Sequence, residues 1–220
     1  MSGDYHGSRL EMDTRRGGVW AALWRYFFRH RIAVDACVLD LGAGYGDFIN
    51  NVVARRRIAV DTWPGMAHQV DAGVEAIVGP ADNLKAIADG TVDFAFASNL
   101  FEHLPQGVLI ATLAEIRRTL SPGGTLTILQ PNYRYAYREY FDDYTHVAVY
   151  SHVSLADLLR AHGWNIVEVR PRFLPLTVKS RLPTWPVLVA AYLTEGPADG
   201  ALREAALADV GEAVAAAWAA

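Results

Sequence analysis

The chain has 220 residues, 52% hydrophobic and 20% charged, which suits one domain with a sizeable core and excludes a disordered segment. The formal net charge of -4 excludes a global basic field able to hold a nucleic-acid backbone. One cysteine, Cys37, excludes an internal disulfide framework and fits a reducing, cytoplasmic setting.

Residues 1–16 are polar and charged and lack the apolar core of a signal peptide. No apolar run is long enough to span a bilayer, so no membrane span is expected. Residues 19–30 are expected to form an aromatic-rich helix, with Trp20, Leu23, Trp24 and Phe27 at helical spacing. That stripe packs on the core, lids a pocket, or does both. Residues 1–30 therefore read as an N-terminal arm and lid helix.

Alternating strand and helix signals follow. Residues 36–41 are a short apolar run ended by glycines, a good first strand. Residues 47–57 read as a helix whose Arg55, Arg56 and Arg57 suit the negative end of its dipole. Residues 58–61 and 74–78 are the second and third strands, 82–88 a short helix, 92–98 the fourth strand and 109–120 a helix. Ser121-Pro122-Gly123-Gly124 is expected to turn into a fifth strand over 125–130. Residues 154–162 read as a helix capped by Ser154, and 164–170 as a sixth strand. Strands spaced by helices predict an α/β fold: a doubly wound, mostly parallel Rossmann-like sheet with helices on both faces and right-handed crossovers. The main domain spans 31–183. Residues 184–220 shift in composition and read as an Ala-rich helical C-terminal tail.

In open α/β sheets, ligands sit beyond the carboxyl ends of the strands. After the first strand comes Gly42-Ala43-Gly44-Tyr45-Gly46, where a backbone without side chains can approach a ligand. Dinucleotide enzymes use G-x-G-x-x-G, but here Asp47 occupies the last glycine position. Asp40 beside the loop would repel a pyrophosphate and suits a ligand with an ammonium group and a sulfonium centre. Both features argue against a nucleotide-dependent oxidoreductase or epimerase. Asp61 follows the second strand about twenty residues on, the distance at which an acidic residue reaches a ribose. A polar strand end explains Asp61 alone; beside the glycine loop, ribose binding is the expectation.

The sequence resembles the class I S-adenosylmethionine-dependent methyltransferases. The resemblance is carried by residues 38–46, residues 58–61, Gly79-Pro80-Ala81-Asp82-Asn83-Leu84, Ser98-Asn99-Leu100-Phe101-Glu102-His103-Leu104 and Leu120-Ser121-Pro122-Gly123-Gly124. Arg172-Phe173-Leu174-Pro175 with Lys179-Ser180-Arg181-Leu182-Pro183 also resembles a bacterial subgroup, and some members of the wider group act on sugars and natural products. The resemblance implies S-adenosylmethionine as cofactor. It implies that Asp40, Gly42 and Gly44 cradle the methionine end and that Asp61 takes the ribose hydroxyls. Ala81 would meet the adenine edge with Asp82 nearby, and Ser98 and Asn99 would lie near the methionine amine. Arg15 or Arg16 would pair with the methionine carboxylate. In two respects the sequence departs from the family pattern. Pro80 stands where relatives carry Asp, so Asp82 is the substitute acceptor for the adenine amine. No strand is evident where relatives insert a last antiparallel strand between the fifth and sixth, so either the sheet lacks that strand or something else covers the exposed edge.

The expected reaction is direct methyl transfer to a small-molecule acceptor, a sugar or natural-product hydroxyl or amine. A hydroxyl acceptor needs a base. His103, after the fourth strand, and His146, in Asp142-Asp143-Tyr144-Thr145-His146, are the catalytic candidates; each is otherwise a structural histidine. Asp142 and Asp143 read as a solvated loop pair. Pro131-Asn132-Tyr133-Arg134-Tyr135-Ala136-Tyr137-Arg138 is expected to wall the acceptor pocket rather than to stack on nucleic acid. His103 and His146 stand isolated in sequence, without zinc-type ligand spacing, so no metal is expected. Expected partners are the small-molecule acceptor and a second copy of the chain in a homodimer. The alternative outside these enzymes is a non-catalytic cofactor-binding protein.

Overall fold

The computed structural model describes residues 14–173 and 187–193, with side chains from residue 16 to residue 173. β1 (Cys37–Leu41) is buried along its whole length, as a strand covered on both faces must be. Its residues alternate between two cores: Cys37, Leu39 and Leu41 face one, Val38 the other. β4 (Val92–Ser98) repeats the division, with Ala95 and Ala97 on the first face and Phe94 and Phe96 on the second.

β2 (Arg56–Asp61), β3 (Val74–Val78) and β5 (Leu120–Gln130) extend this pair in parallel. β6 (Trp164–Arg170) and β7 (Val187–Leu193) complete a seven-stranded sheet of order β3-β2-β1-β4-β5-β7-β6. The chain runs outward from β1 to β3, then returns to β4 on the other side of β1. The order reverses there, so a crevice opens at the carboxyl ends of β1 and β4, where Leu41 stands opposite Ala97.

α1 (Thr14–Tyr26) covers the second face through Leu23 and Trp20. The Trp20 ring meets Phe96 edge-on at 5.9 Å and Phe48 at 6.0 Å. α2 (Gln106–Thr119) covers the first face through Leu109, Leu113 and Ile116. α3 (Tyr133–Ala136) is one turn after β5, and α4 (His152–Ala161) adds Leu155 and Leu159 to the first core. Among the described residues no helix is long and apolar enough to cross a membrane.

Four local expectations change. Residues 47–57 are not a helix. A 3-10 turn at Ile49–Asn51 is followed by extended chain, and Arg56 and Arg57 lie in β2. Asn50 and Asn51 spend their amides on the Gln69 and Asp47 carbonyls, the competition that makes asparagine a poor helix former. Arg56 is instead bidentate to Glu75 on the neighbouring strand. Residues 82–88 form turns, with Leu84 and Ile87 plugged into the core. Their backbone is satisfied from α2: Glu115 accepts from the Leu84 N–H, and Arg118 donates to the Leu84 and Ile87 carbonyls. Residues 121–124 belong to β5 at a register irregularity, where a Cβ on Gly124 would stand 2.8 Å from the Val92 carbonyl. The cap of α4 is Ser151, not Ser154; the two serines form a reciprocal capping box.

The largest correction concerns the last strand. β7 pairs antiparallel with β5, from Thr125 opposite Tyr192 to Gln130 opposite Val187, and with β6 on its other side. It therefore supplies the strand that the sequence reading leaves out and covers the edge of β5. Its residues are an unbroken apolar run at the head of an Ala-rich segment, which composition alone fits to helix or strand. The tail expected over 184–220 thus contributes residues 187–193 to the sheet. Residues 194–220, the arm before Thr14 and the motif residues 174–183 lie outside the described residues.

Candidate active site

The glycine loop leaves β1 as a series of tight turns. Gly42 has φ +69° and Gly44 φ +52°, backbone that favours glycine, and a Cβ on Gly42 would press the Leu100 side chain at 3.1 Å. The N–H groups of Gly42 and Ala43 both donate to the Val60 carbonyl, which stitches the loop to β2. Asp61 closes the structure. Its carboxylate accepts from the Gly44 N–H at 2.8 Å and from the Trp63 N–H at 2.8 Å.

A cavity of about 210 Å³ lies over this loop at the switch point. Its walls include Asp40, Gly42, Gly44, Asp61, Ala81, Asp82, Ser98 and Asn99. The structure thus brings together eight residues that the sequence reading assigned to the cofactor. Pro80 and His103 also line it. The ninth, Arg15, lies in α1 with its side chain outside the described set. Its neighbour Arg16 is in the wall and donates through Nε to Asp47 at 2.8 Å.

The wall also holds residues that sequence reasoning did not assign to it. Trp20, Phe48 and Phe96 form an apolar side, so the aromatic stripe of α1 both packs on the core and lines the cavity. None of residues 131–138 is among the described residues of the wall. Tyr135 stacks on His152 instead and sits beneath the Arg172 guanidinium.

Asp40 is only 3% exposed. Burial, reinforced by the nearby Asp61 and Asp47 carboxylates, pushes its carboxyl well above the ordinary range, against a hydrogen bond from the Ile49 N–H. Three acidic groups around one loop create a negative potential that a cation would relieve. Asn99 sits in the left-handed region at φ +48°, a conformation asparagine tolerates better than most residues. Its N–H donates to the Leu129 carbonyl and its amide to the Ser98 hydroxyl, which fixes the turn out of β4.

His103, in the cavity wall, meets His146. The His103 and His146 ring centroids are 4.8 Å apart, although 42 residues separate them in sequence, so they are not isolated. The loop that carries His146 is anchored by the Val147 and Ala148 N–H groups, both donating to the Glu102 carbonyl. Burial and the adjacent His146 push the His103 pKa below its ordinary value, against the pull of Asp143. Asp143 is not a solvated partner of Asp142. It accepts from the Thr145 N–H and hydroxyl, and these bonds hold its carboxyl below the usual range despite the burial that opposes ionisation. Glu102, which precedes His103 in the same motif and had no expected role, is completely buried beside both histidines. Burial pushes its carboxyl up to about 8. A charged residue between Phe101 and His103 in an otherwise apolar stretch is the only signal the sequence offers for it.

A parallel sheet that reverses between β1 and β4, with a glycine loop, a buried Asp40 and an acidic β2 terminus around one cavity, defines a class I methyltransferase fold. The family model described as a methyltransferase domain matches residues 12–169, more than half of the chain. The chain belongs to this family of S-adenosylmethionine-dependent methyltransferases, which are enzymes, and S-adenosylmethionine is its cofactor. No curated protein matches it in sequence. Among solved structures it is similar to a SAM-dependent methyltransferase from Archaeoglobus fulgidus, with a TM-score of 0.67 and 20% identity over 80% of this chain and 93% of that one. It is similar to an S-adenosylmethionine-dependent methyltransferase from Mesorhizobium loti, with a TM-score of 0.60 and 16% identity over 77% of this chain and 97% of that one. It also resembles DhpI in its complex with SAH, with a TM-score of 0.59 and 18% identity over 88% of this chain and 91% of that one. These likenesses show the shared fold. Family membership decides against the oxidoreductase or epimerase.

Proposed function

We propose that the chain transfers the methyl group of S-adenosylmethionine to a hydroxyl or amine of a small molecule, of the sugar or natural-product kind, by direct displacement. The observation that carries this reading is one cavity whose wall runs from the acidic glycine loop to His103. The loop end suits the cofactor, and the histidine end suits an acceptor that must lose a proton.

Asp40 offers its carboxylate to the ammonium and sulfonium charges, and Gly42 and Gly44 give the methionine end room. Asp61 takes the ribose hydroxyls while it holds the loop. Ala81 and Asp82 meet the adenine, and Ser98 and Asn99 border the methionine amine. Arg16 or Arg15 faces the methionine carboxylate. An acceptor lone pair in line with the S–CH3 bond forms the new bond as sulfur leaves with its electron pair. Holding that geometry can itself supply on the order of 7–11 kcal/mol in ideal cases. A neutral amine attacks with its own lone pair and loses its proton to solvent after the transfer. A hydroxyl must lose its proton, and the His103–His146 pair handles it, most simply by transfer to His103, whose lowered pKa keeps it neutral. The lone buried Cys37 fits a cytoplasmic enzyme.

Incubation with S-adenosylmethionine labelled at the methyl group and a panel of sugars, glycosides, phenols, amines, nucleic acids and proteins tests this. Label is expected in an oxygen- or nitrogen-methylated product. Label only in nucleic acid or protein substrates would refute the small-molecule reading.

A further inference from the structure

Glu102, His103 and His146 form a cluster that the proposed transfer uses only in part. One ligating atom from each lies within 4.8 Å of the others. The Glu102 side chain is 0% exposed, and neither of its carboxylate oxygens has a hydrogen-bond partner. A buried acid without donors either keeps its proton or meets a cation, because ionised and alone it is among the costliest groups a fold can hold.

Neighbouring oxygens set the tautomer of both histidines. His146 Nδ1 lies 2.6 Å from the Tyr140 carbonyl oxygen, which only accepts, so Nδ1 carries the proton. His103 Nδ1 lies 2.9 Å from the Thr145 hydroxyl, whose own proton goes to Asp143 at 2.6 Å. Nδ1 of His103 therefore also donates. In both rings the lone pair is on Nε2. A ring held through Nδ1–H by an oxygen acceptor, which leaves Nε2 as the basic nitrogen, is how metal-binding histidines are fixed.

We infer that Glu102, His103 and His146 bind a divalent transition-metal ion of the zinc type, with its open position toward the cavity wall that His103 forms. Two imidazoles and one carboxylate with a vacant fourth position are a zinc ligand set, whereas magnesium and calcium favour oxygen ligands. In a tetrahedral shell the donor atoms stand about 3.4 Å apart, so the cluster tightens by roughly an ångström as it binds, a side-chain movement.

Metal binding stands independently of the acceptor; its use in catalysis rests on the transfer proposed above. A hydroxyl on the open position gives its proton to solvent as it coordinates. The resulting alkoxide forms the O–CH3 bond, the S–CH3 bond breaks, and its electron pair goes to sulfur. A lone pair given to the ion cannot also take a proton, so this use of His103 replaces direct transfer to it.

The untagged full-length chain, stripped with a chelator, is titrated with Co²⁺ and then Zn²⁺, with S-adenosylhomocysteine binding measured in parallel. One equivalent of Co²⁺ with visible absorption of a tetrahedral site is expected, displaced by Zn²⁺. His146→Ala and Glu102→Gln should each weaken Zn²⁺ by at least the 10–100-fold typical even of outer-shell changes, and Thr145→Val by about that range. Imidazole ¹⁵N shifts of the wild type should report coordination at Nε2 of two histidines, whether or not the variants fold. Wild type that binds S-adenosylhomocysteine but shows no saturable Co²⁺ or Zn²⁺ binding overturns the inference and leaves the methyltransferase standing. So does metal binding that is unchanged in folded variants. Failure to bind S-adenosylhomocysteine counts against the proposed cofactor site, not the metal.

Discussion

Replacing Asp61 separates two jobs that one carboxylate performs. It accepts from the Gly44 and Trp63 N–H groups at 2.8 Å each, and it is proposed to accept from the ribose hydroxyls. Hydrogen bonds to a charged group are worth about 1.5–3 kcal/mol, and the partly exposed site allows water to recover part of that. Asp61→Ala should therefore cost about 2 kcal/mol of stability. For a chain of this size that lowers the melting temperature by about 4–8 °C. Loss of two ribose bonds at about 1.5 kcal/mol each weakens S-adenosylhomocysteine binding by about 100-fold. Asp61→Asn keeps one acceptor oxygen and loses the charge, so it should fall between wild type and Asp61→Ala in both respects. Scanning fluorimetry without ligand reads the first effect and isothermal titration the second. Titration with the 2′,3′-dideoxy analogue isolates the ribose: wild type should discriminate against it and Asp61→Ala should not. A dissociation constant in Asp61→Ala within about threefold of wild type, under 0.7 kcal/mol, would refute the ribose assignment.

Three further perturbations probe the same architecture. Asp40 is an acid whose folded pKa is raised, so above the unfolded value of 3.8 the unfolded chain releases a proton that the native state retains, and stability falls with rising pH. Without cofactor, Asp40→Asn should melt above wild type by a margin that widens as pH rises from about 4, yet bind S-adenosylhomocysteine more weakly; parallel melting curves at all pH values would contradict this. Trp20→Ala should cost about 2–3 kcal/mol, below the range for fully buried tryptophan, because Trp20 is half-buried against Phe48 and Phe96. Ligand binding should also change tryptophan fluorescence in wild type and less in that variant, and an identical change in both would remove Trp20 from the wall. Arg118→Ala should weaken S-adenosylhomocysteine binding from a distance, since Arg118 holds the turns that follow Ala81 and Asp82. Unchanged affinity by titration would show that those turns hold without it.

Interactions between near neighbours are legible in sequence because few arrangements satisfy them. The apolar runs of β1, β4 and β6, the glycine turn and the distance from that turn to Asp61 were of this kind, and so eight residues that line one cavity could be named in advance. The helices expected over 47–57 and 82–88 failed for a different reason. Their composition permits helix, but Asn50, Asn51, Glu115 and Arg118 offer the backbone other partners that only the folded chain brings within reach.

Sequence by itself pointed to the parallel strands β1 to β5 and to an acidic glycine loop at the carboxyl end of β1, expected to suit a sulfonium rather than a pyrophosphate. Tertiary structure decided what depends on distant segments meeting. β7 is a strand because the open edges of β5 and β6 supply its hydrogen bonds, not because its seven residues exclude a helix. His103 and His146 form one site because the Glu102 carbonyl takes two N–H groups from the loop that carries His146. The burial that leaves the Glu102 carboxylate without a donor arises in that same contact, and no local pattern of residues records it.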